Sequence, residues 1–164
     1  MTLNYNYYKI LIYFFPLAVI QVTLLPFLSV DTVGPDLIII LLVYYTLQYG
    51  QIFGMLAGFA LGFLFDLISG GVLGGFMFSK TLTFFIIGYI YNENKIEEYI
   101  YSYWFVLIVL IAGILDSLIY SMIVLSGTSF NLLTLLFTQS ILPGLYTAAV
   151  SVPFLLFRKR KGLR

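Results

Sequence analysis

The sequence predicts an all-α integral membrane protein, a single bundle of six transmembrane helices. Three observations lead there. First, 62% of the 164 residues are hydrophobic and only 9% are charged, with a mean hydropathy of +1.05. A soluble domain carries about 25% charged residues, so this chain has too little polar surface to coat a water-soluble globule. Second, the apolar residues gather into runs close to the ~20 residues that cross ~30 Å of hydrocarbon. Third, the breaks between runs are short and rich in turn formers or charge. A cytosolic enzyme, a secreted disulfide scaffold and a disordered tail are excluded.

The first run, 10–28, follows a segment with a single basic residue, Lys9, and no small-x-small cleavage site comes after it. It reads as a retained helix, not a signal peptide. The second, 33–49, opens with Pro35 in its first turn and Asp36 at the positive end of the helix dipole. Only Leu47-Gln48-Tyr49-Gly50-Gln51 separates it from the third run, 52–68. A tight turn there gives six spans; an uninterrupted helix gives five, the alternative. The fourth run, 74–91, follows SGGVLGG. The fifth, 100–125, follows NENKIEEY, and the sixth, 132–157, follows SGTSFN. No soluble domain fits between them. Residues 1–164 are therefore expected to form one transmembrane domain with a short basic tail.

Five of the eight basic residues lie in the last seven positions: Arg158, Lys159, Arg160, Lys161 and Arg164. The positive-inside rule makes that tail cytoplasmic. Six spans then put the N-terminus inside as well, with SVDTVGP, SGGVLGG and SGTSFN outside. The NENKIEEY loop falls inside despite its three Glu, because acidic residues weigh little in the rule. The tail suits a topology anchor, or contact with anionic lipid or a cytoplasmic partner. With no basic stripe elsewhere, nucleic acid is not an expected partner. Tyr5, Tyr7, Tyr8, Tyr89, Tyr91, Tyr99, Tyr101, Tyr103 and Trp104 near span ends fit an interfacial aromatic belt.

The chain has no Cys and no His, which removes thiolate nucleophiles, imidazole bases and zinc sites built on those residues. It also lacks a phosphate-cradling Gly-rich loop ending in Lys-Ser/Thr, a G-x-S-x-G nucleophile and any acidic cluster with two-metal spacing. No catalytic, cofactor or metal residues are expected. What remains are charged residues inside spans, which cost about 2.5–3.5 kcal/mol each at a helix centre. These are Asp36, Asp66, Lys80 and Asp116. In the six-span arrangement all four share the outer half, so Lys80 is expected to pair with Asp66 or Asp116. Such a group reads either as a substrate or proton site or as a structural pair fixing helix register. Asp36 has a sufficient local explanation in helix capping. In the third run Gly54, Gly58 and Gly62 recur at four-residue spacing, with Asp66 extending the series. Small residues so spaced let membrane helices approach closely, against this chain or a partner. Pro16, Pro143 and Pro153 are expected to kink their helices, and Leu142-Pro143-Gly144 suits a discontinuous one.

Pro35-Asp36-Leu37-Ile38 opening one span, Gly58-Phe59-x-x-Gly62-x-x-x-Asp66 closing the next, and the Gly70-Gly71-x-x-Gly74 turn together resemble the rod shape-determining protein MreD family. The ending, Leu142-Pro143-Gly144-Leu145-Tyr146-Thr147-Ala148 followed by Pro153 and a basic tail, resembles that family too, and the likeness covers essentially the whole chain. The resemblance implies a non-enzymatic inner-membrane subunit of the bacterial cell-elongation machinery, the elongasome. It would serve cell shape and peptidoglycan synthesis beside an MreC-like scaffold, an MreB-like filament and a RodA–transpeptidase pair. It also implies a fold similar to the substrate-binding S subunits of energy-coupling-factor vitamin transporters, which makes such a subunit the alternative. Many S subunits carry Ala-x-x-x-Ala in the first helix; here Ala18 is followed four residues later by Val22.

Overall fold

The structure, a computed structural model, describes residues 8–23, 34–70, 72–124 and 137–157. Of the loops expected outside, 29–33 of SVDTVGP and all of SGTSFN lie outside the described residues, as do the span ends 24–28, 125 and 132–136, Tyr5, Tyr7 and the basic tail. The described residues are helical almost throughout. Helix α1 runs Tyr8–Thr23, α2 Leu37–Tyr49, α3 Gln51–Ser69 and α4 Gly75–Ile87, which a 3-10 turn, Gly88–Ile90, prolongs. A second 3-10 turn, Glu93–Lys95, leads into the short α5, Ile96–Tyr101. Helix α6 runs Trp104–Val124, and a π-turn, Phe137–Ile141, leads into α7, Leu142–Phe157.

The described part of the apolar stretch 33–68 holds two helices. Gly50 sits between them at φ 92°, a backbone state that other residues adopt only with strain. Its N–H closes α2 on the Thr46 carbonyl at 2.9 Å, and its own carbonyl accepts the Gly54 N–H at 3.0 Å to begin α3. The fifth run also divides. Ser102 is extended at φ −116° and ψ 169°, so α5 ends there and α6 begins at Trp104. The sixth does not break at Pro143: the chain stays helical from 137 to 157, the π-turn absorbing the irregularity just before the proline.

Helix α2 is the central element, with eight of its thirteen residues buried, far more than one face. Around it, α1 buries the stripe Ile10, Phe14 and Ala18, one residue per turn, while Leu61, Phe65, Phe84, Phe105, Ile108 and Val109 close the core from α3, α4 and α6. The outside is as apolar as the inside. Helix α3 exposes Ile52, Leu56, Phe59, Phe63 and Leu67 along one side, and α4 exposes Phe78, Leu82 and Phe85. Apolar residues on the surface with Lys80, Asp66 and Asp116 buried is the distribution a lipid solvent selects. By length and composition α3 and α6, at 19 and 21 residues, are each sufficient to cross a bilayer. Helices α1, α2 and α4 are shorter apolar helices.

Close approach organises the packing. The most extensively packed pair is α3 with α4, and the reason is the glycine series. A Cβ on Gly58 would lie 2.8 Å from the Lys80 carbonyl oxygen, and one on Gly62 would lie 2.6 Å from that of Phe76. A Cβ on Gly54 would collide with the Thr46 side chain of α2. The glycine face is thus spent inside this chain and is not a surface for a partner. On the far side α6 crosses α7 at a second glycine contact, where a Cβ on Gly113 would sit 2.9 Å from Gly144 Cα.

This packing sets a test. Gly58→Ala and Gly62→Ala force backbone apart and should each destabilise the protein by an overpacking cost of about 1–3 kcal/mol, whereas Ala60→Leu on the exposed side of α3 should change little. The thermal midpoint of detergent-solubilised protein, followed by size-exclusion chromatography, reports it. Equal tolerance of all three substitutions would contradict the packing described.

Candidate functional site

The amino end of α2 lies where four helices meet, and the backbone there dictates the local chemistry. A helix start leaves its first N–H groups without intrahelical partners, and in a membrane interior water does not supply the missing ones. Each is provided for. Asp36, the N-cap, accepts from Ile38 N at 2.9 Å and Ile39 N at 3.2 Å through Oδ1. Gln21 of α1 accepts from Leu37 N at 3.1 Å through Oε1. The Asp36 N–H itself donates to Thr147 Oγ1 of α7 at 3.0 Å, and that hydroxyl donates on to the Pro143 carbonyl at 2.8 Å.

Capping occupies only one oxygen of Asp36. The other, Oδ2, meets Lys80 Nζ of α4 at 2.6 Å, and the same ammonium bonds Asp116 Oδ2 of α6 at 3.0 Å. Lys80 is wholly buried; the Asp36 and Asp116 side chains are 16% and 4% exposed. The ammonium also lies 5.5 Å from the centre of the Phe76 ring, within cation–π reach. Lys80 therefore ties three helices together at one atom. Asp116 is buried beside the Ser79 hydroxyl, which also reaches the Phe76 carbonyl at 3.3 Å.

Asp66 goes elsewhere. Its carboxylate accepts from the N–H groups of Gly74 at 3.0 Å, Phe76 at 3.1 Å and Met77 at 3.0 Å, so it caps the start of α4 from the end of α3. Of the two partners expected for Lys80, Asp116 pairs with it and Asp66 does not, because three amides at the positive end of a helix already hold the Asp66 carboxylate. Gly70 and Gly74, at φ 66° and 96°, fold the connection back so the amides can reach it, and Gly62 lets that helix start lie against α3. Asp36 does more than the capping assigned to it, since it shares Lys80. The sequence reasoning passed over Gln21 and Thr147. The visible signal for Gln21 was a lone amide in an apolar run; for Thr147 there was none beyond its place in LPGLYT. Pro35 is buried beside the helix start, and Pro143 contributes its carbonyl to Thr147.

Among the described residues no group of three or more His, Cys, Asp and Glu is placed to hold a metal. Fold and site together define a helical membrane protein whose inner charges brace helices against one another. The rod shape-determining protein MreD family matches residues 3–161, nearly the whole chain. The chain belongs to the MreD family and so to the bacterial inner-membrane proteins that determine rod shape. No curated protein and no solved structure matches it.

The charge cluster yields a partner-specific expectation. Lys80→Met leaves uncompensated carboxylates and should lower stability strongly, about 3–5 kcal/mol by analogy with buried pairs in soluble proteins. Adding Asp116→Asn should recover part of the loss, while adding Asp66→Asn should deepen it by weakening the α4 cap. Folded yield and heat resistance after membrane extraction measure both. Recovery by Asp66→Asn instead would mean that the pairing is other than described.

Proposed function

We propose that this protein is a non-enzymatic inner-membrane subunit of the bacterial cell-elongation complex. In this reading it supports cell shape and peptidoglycan synthesis by binding partners such as an MreC-like scaffold, alongside an MreB-like filament and a RodA–transpeptidase pair. The family match over residues 3–161 carries the reading. The described side chains favour it: Asp66 is held by three amides and Lys80 by two carboxylates, so the charged groups brace the fold. A protein built this way acts through its surfaces. With the glycine face of α3 buried, those surfaces are the apolar outer sides of α3 and α4 and the exposed rim of Tyr89, Tyr103 and Trp104. The transporter-subunit alternative gains nothing from the comparisons.

The topology belongs to the same proposal. Six helical segments, α1 to α4, α6 and the segment 137–157, cross the membrane, with both termini cytoplasmic and α5 lying near the inner surface. The Gly50 reversal between α2 and α3 favours six over five. Because the chain has no Cys, single substitutions give clean labelling sites. Thr2→Cys and Asn94→Cys should resist an impermeant thiol reagent applied to spheroplasts, and Val72→Cys should react. Labelling of Thr2→Cys from outside would favour five spans. For function, the chain should restore rod shape to cells lacking their own family member and co-purify with the MreC-like scaffold. Rounded cells despite normal membrane levels would defeat the proposal. Co-purification of a vitamin-sized molecule with an ATPase pair would replace it with the transporter reading.

A further inference from the structure

A cavity of about 750 Å³ lies between α1, α2 and α7, and none of Asp36, Lys80 or Asp116 lines it. Helices α1 and α2 set its shape. They run antiparallel: Gln21, near the end of α1, meets the Leu37 N–H that opens α2, while Lys9 and Tyr13 from the start of α1 line the cavity with Gln48 and Tyr49 from the end of α2. Equal helical rises from the Gln21–Leu37 contact put Leu17 level with Leu41 and Lys9 level with Tyr49. The lining is therefore ordered along its length. One end holds Lys9, Tyr13, Gln48 and Tyr49, each carrying a hydrogen-bond donor, and the rest, towards Leu17, Ile20 and Leu41, is apolar. Among the described lining residues Lys9 is the one charged side chain, so the polar end attracts an anion. From Lys9 to Ile20 the helix rises roughly 16 Å, about half of the ~30 Å hydrocarbon thickness and so the depth of one leaflet. Tyr13, Ile20 and Phe154 are exposed on the rim, which opens the cavity sideways onto the lipid-facing surface.

We propose that this cavity holds one anionic phospholipid of the bilayer, with its phosphodiester at Lys9, Gln48 and Tyr49 and one acyl chain along Leu17, Ile20 and Leu41. The order of the lining is that of the lipid: cation and donors at the membrane surface, then an apolar stretch as long as one leaflet is deep. Basic pockets between membrane helices recognise anionic headgroups by this chemistry. A partner's helix is too large, since a cylinder about 10 Å wide fills about 1,250 Å³ over the same length. A small free anion would leave the apolar length empty. The cytoplasmic leaflet as the source rests on the six-span topology proposed above. Binding itself does not depend on that topology or on the role in cell shape, and is read on the purified protein.

Native mass spectrometry of the intact protein, released from nanodiscs holding equal phosphatidylglycerol and phosphatidylcholine with identical chains, tests this. The wild-type protein should retain one phosphatidylglycerol, favoured about fivefold over phosphatidylcholine, the factor that one cation at the membrane surface supports. Lys9→Gln should bring that preference close to one. Lys95→Gln removes an exposed cation that does not line the cavity and should leave the preference intact. Leu17→Trp narrows the apolar stretch and should lower retention of both lipids several-fold. If it fails to fold, Lys9→Gln decides alone, since the Lys9 side chain is exposed and its loss leaves the core unchanged. Equal retention of the two lipids by the wild-type protein overturns the proposal, as does a preference that survives Lys9→Gln or falls equally with Lys95→Gln. Retention unaffected by a folded Leu17→Trp protein places the chain elsewhere and overturns it too. A dimer that carries no lipid would put a second copy on this face instead.

Discussion

A lysine held between two aspartates, out of reach of water, is the constraint on which this structure turns. In an apolar interior an isolated charge is costly, and its cost falls only when opposite charges and hydrogen bonds surround it. Lys80 gets both from Asp36 and Asp116, at 2.6 and 3.0 Å. Each partner sits on a different stretch of chain, so satisfying the ammonium fixes the relative depth of α4, α6 and the start of α2. Apolar packing alone, against lipid tails of similar character, specifies such depth weakly. The cluster makes one register much better than its neighbours.

The glycine contacts serve the same arrangement at shorter range. Helix α4 comes close enough to α3 for its backbone to touch Gly58 and Gly62. That closeness brings the N–H groups of Gly74, Phe76 and Met77 over Asp66. One helix pair thus carries two linked devices, small residues that admit the neighbouring backbone and a carboxylate that satisfies it. Gly58, Gly62 and Asp66 follow one another at four-residue intervals along α3, so the carboxylate falls one turn beyond the last close contact.

Much of this was legible in the sequence, and the rest was hidden for identifiable reasons. The apolar runs, the interruption at Gly50 and the four charged residues inside spans stand out because composition alone marks them. The partition of the aspartates does not. Asp66 and Asp116 both lie within plausible reach of Lys80 in a linear reading; only the turn built on Gly70 and Gly74 shows that the Asp66 carboxylate is taken by amides. Gln21 and Thr147 escaped because neutral polar side chains are common in membrane helices. Their importance comes from where the helix start at Leu37 falls, a fact of packing. The boundary at Ser102 was missed because aromatic and β-branched residues flank it, so the apolar pattern barely dips.

The network around Asp36 also bears on the order in which the protein can be completed. Its carboxylate waits for Lys80, 44 positions later, and its N–H for Thr147, 111 positions later. During synthesis from the N-terminus, α2 is made well before either exists. The central helix of the bundle therefore holds an unfinished end until the last helix arrives, and a chain truncated before α7 never closes it. Such an end distinguishes a partial bundle from a finished one and gives membrane quality control a chemical difference to read: an open Asp36 amide, concealed once α7 docks.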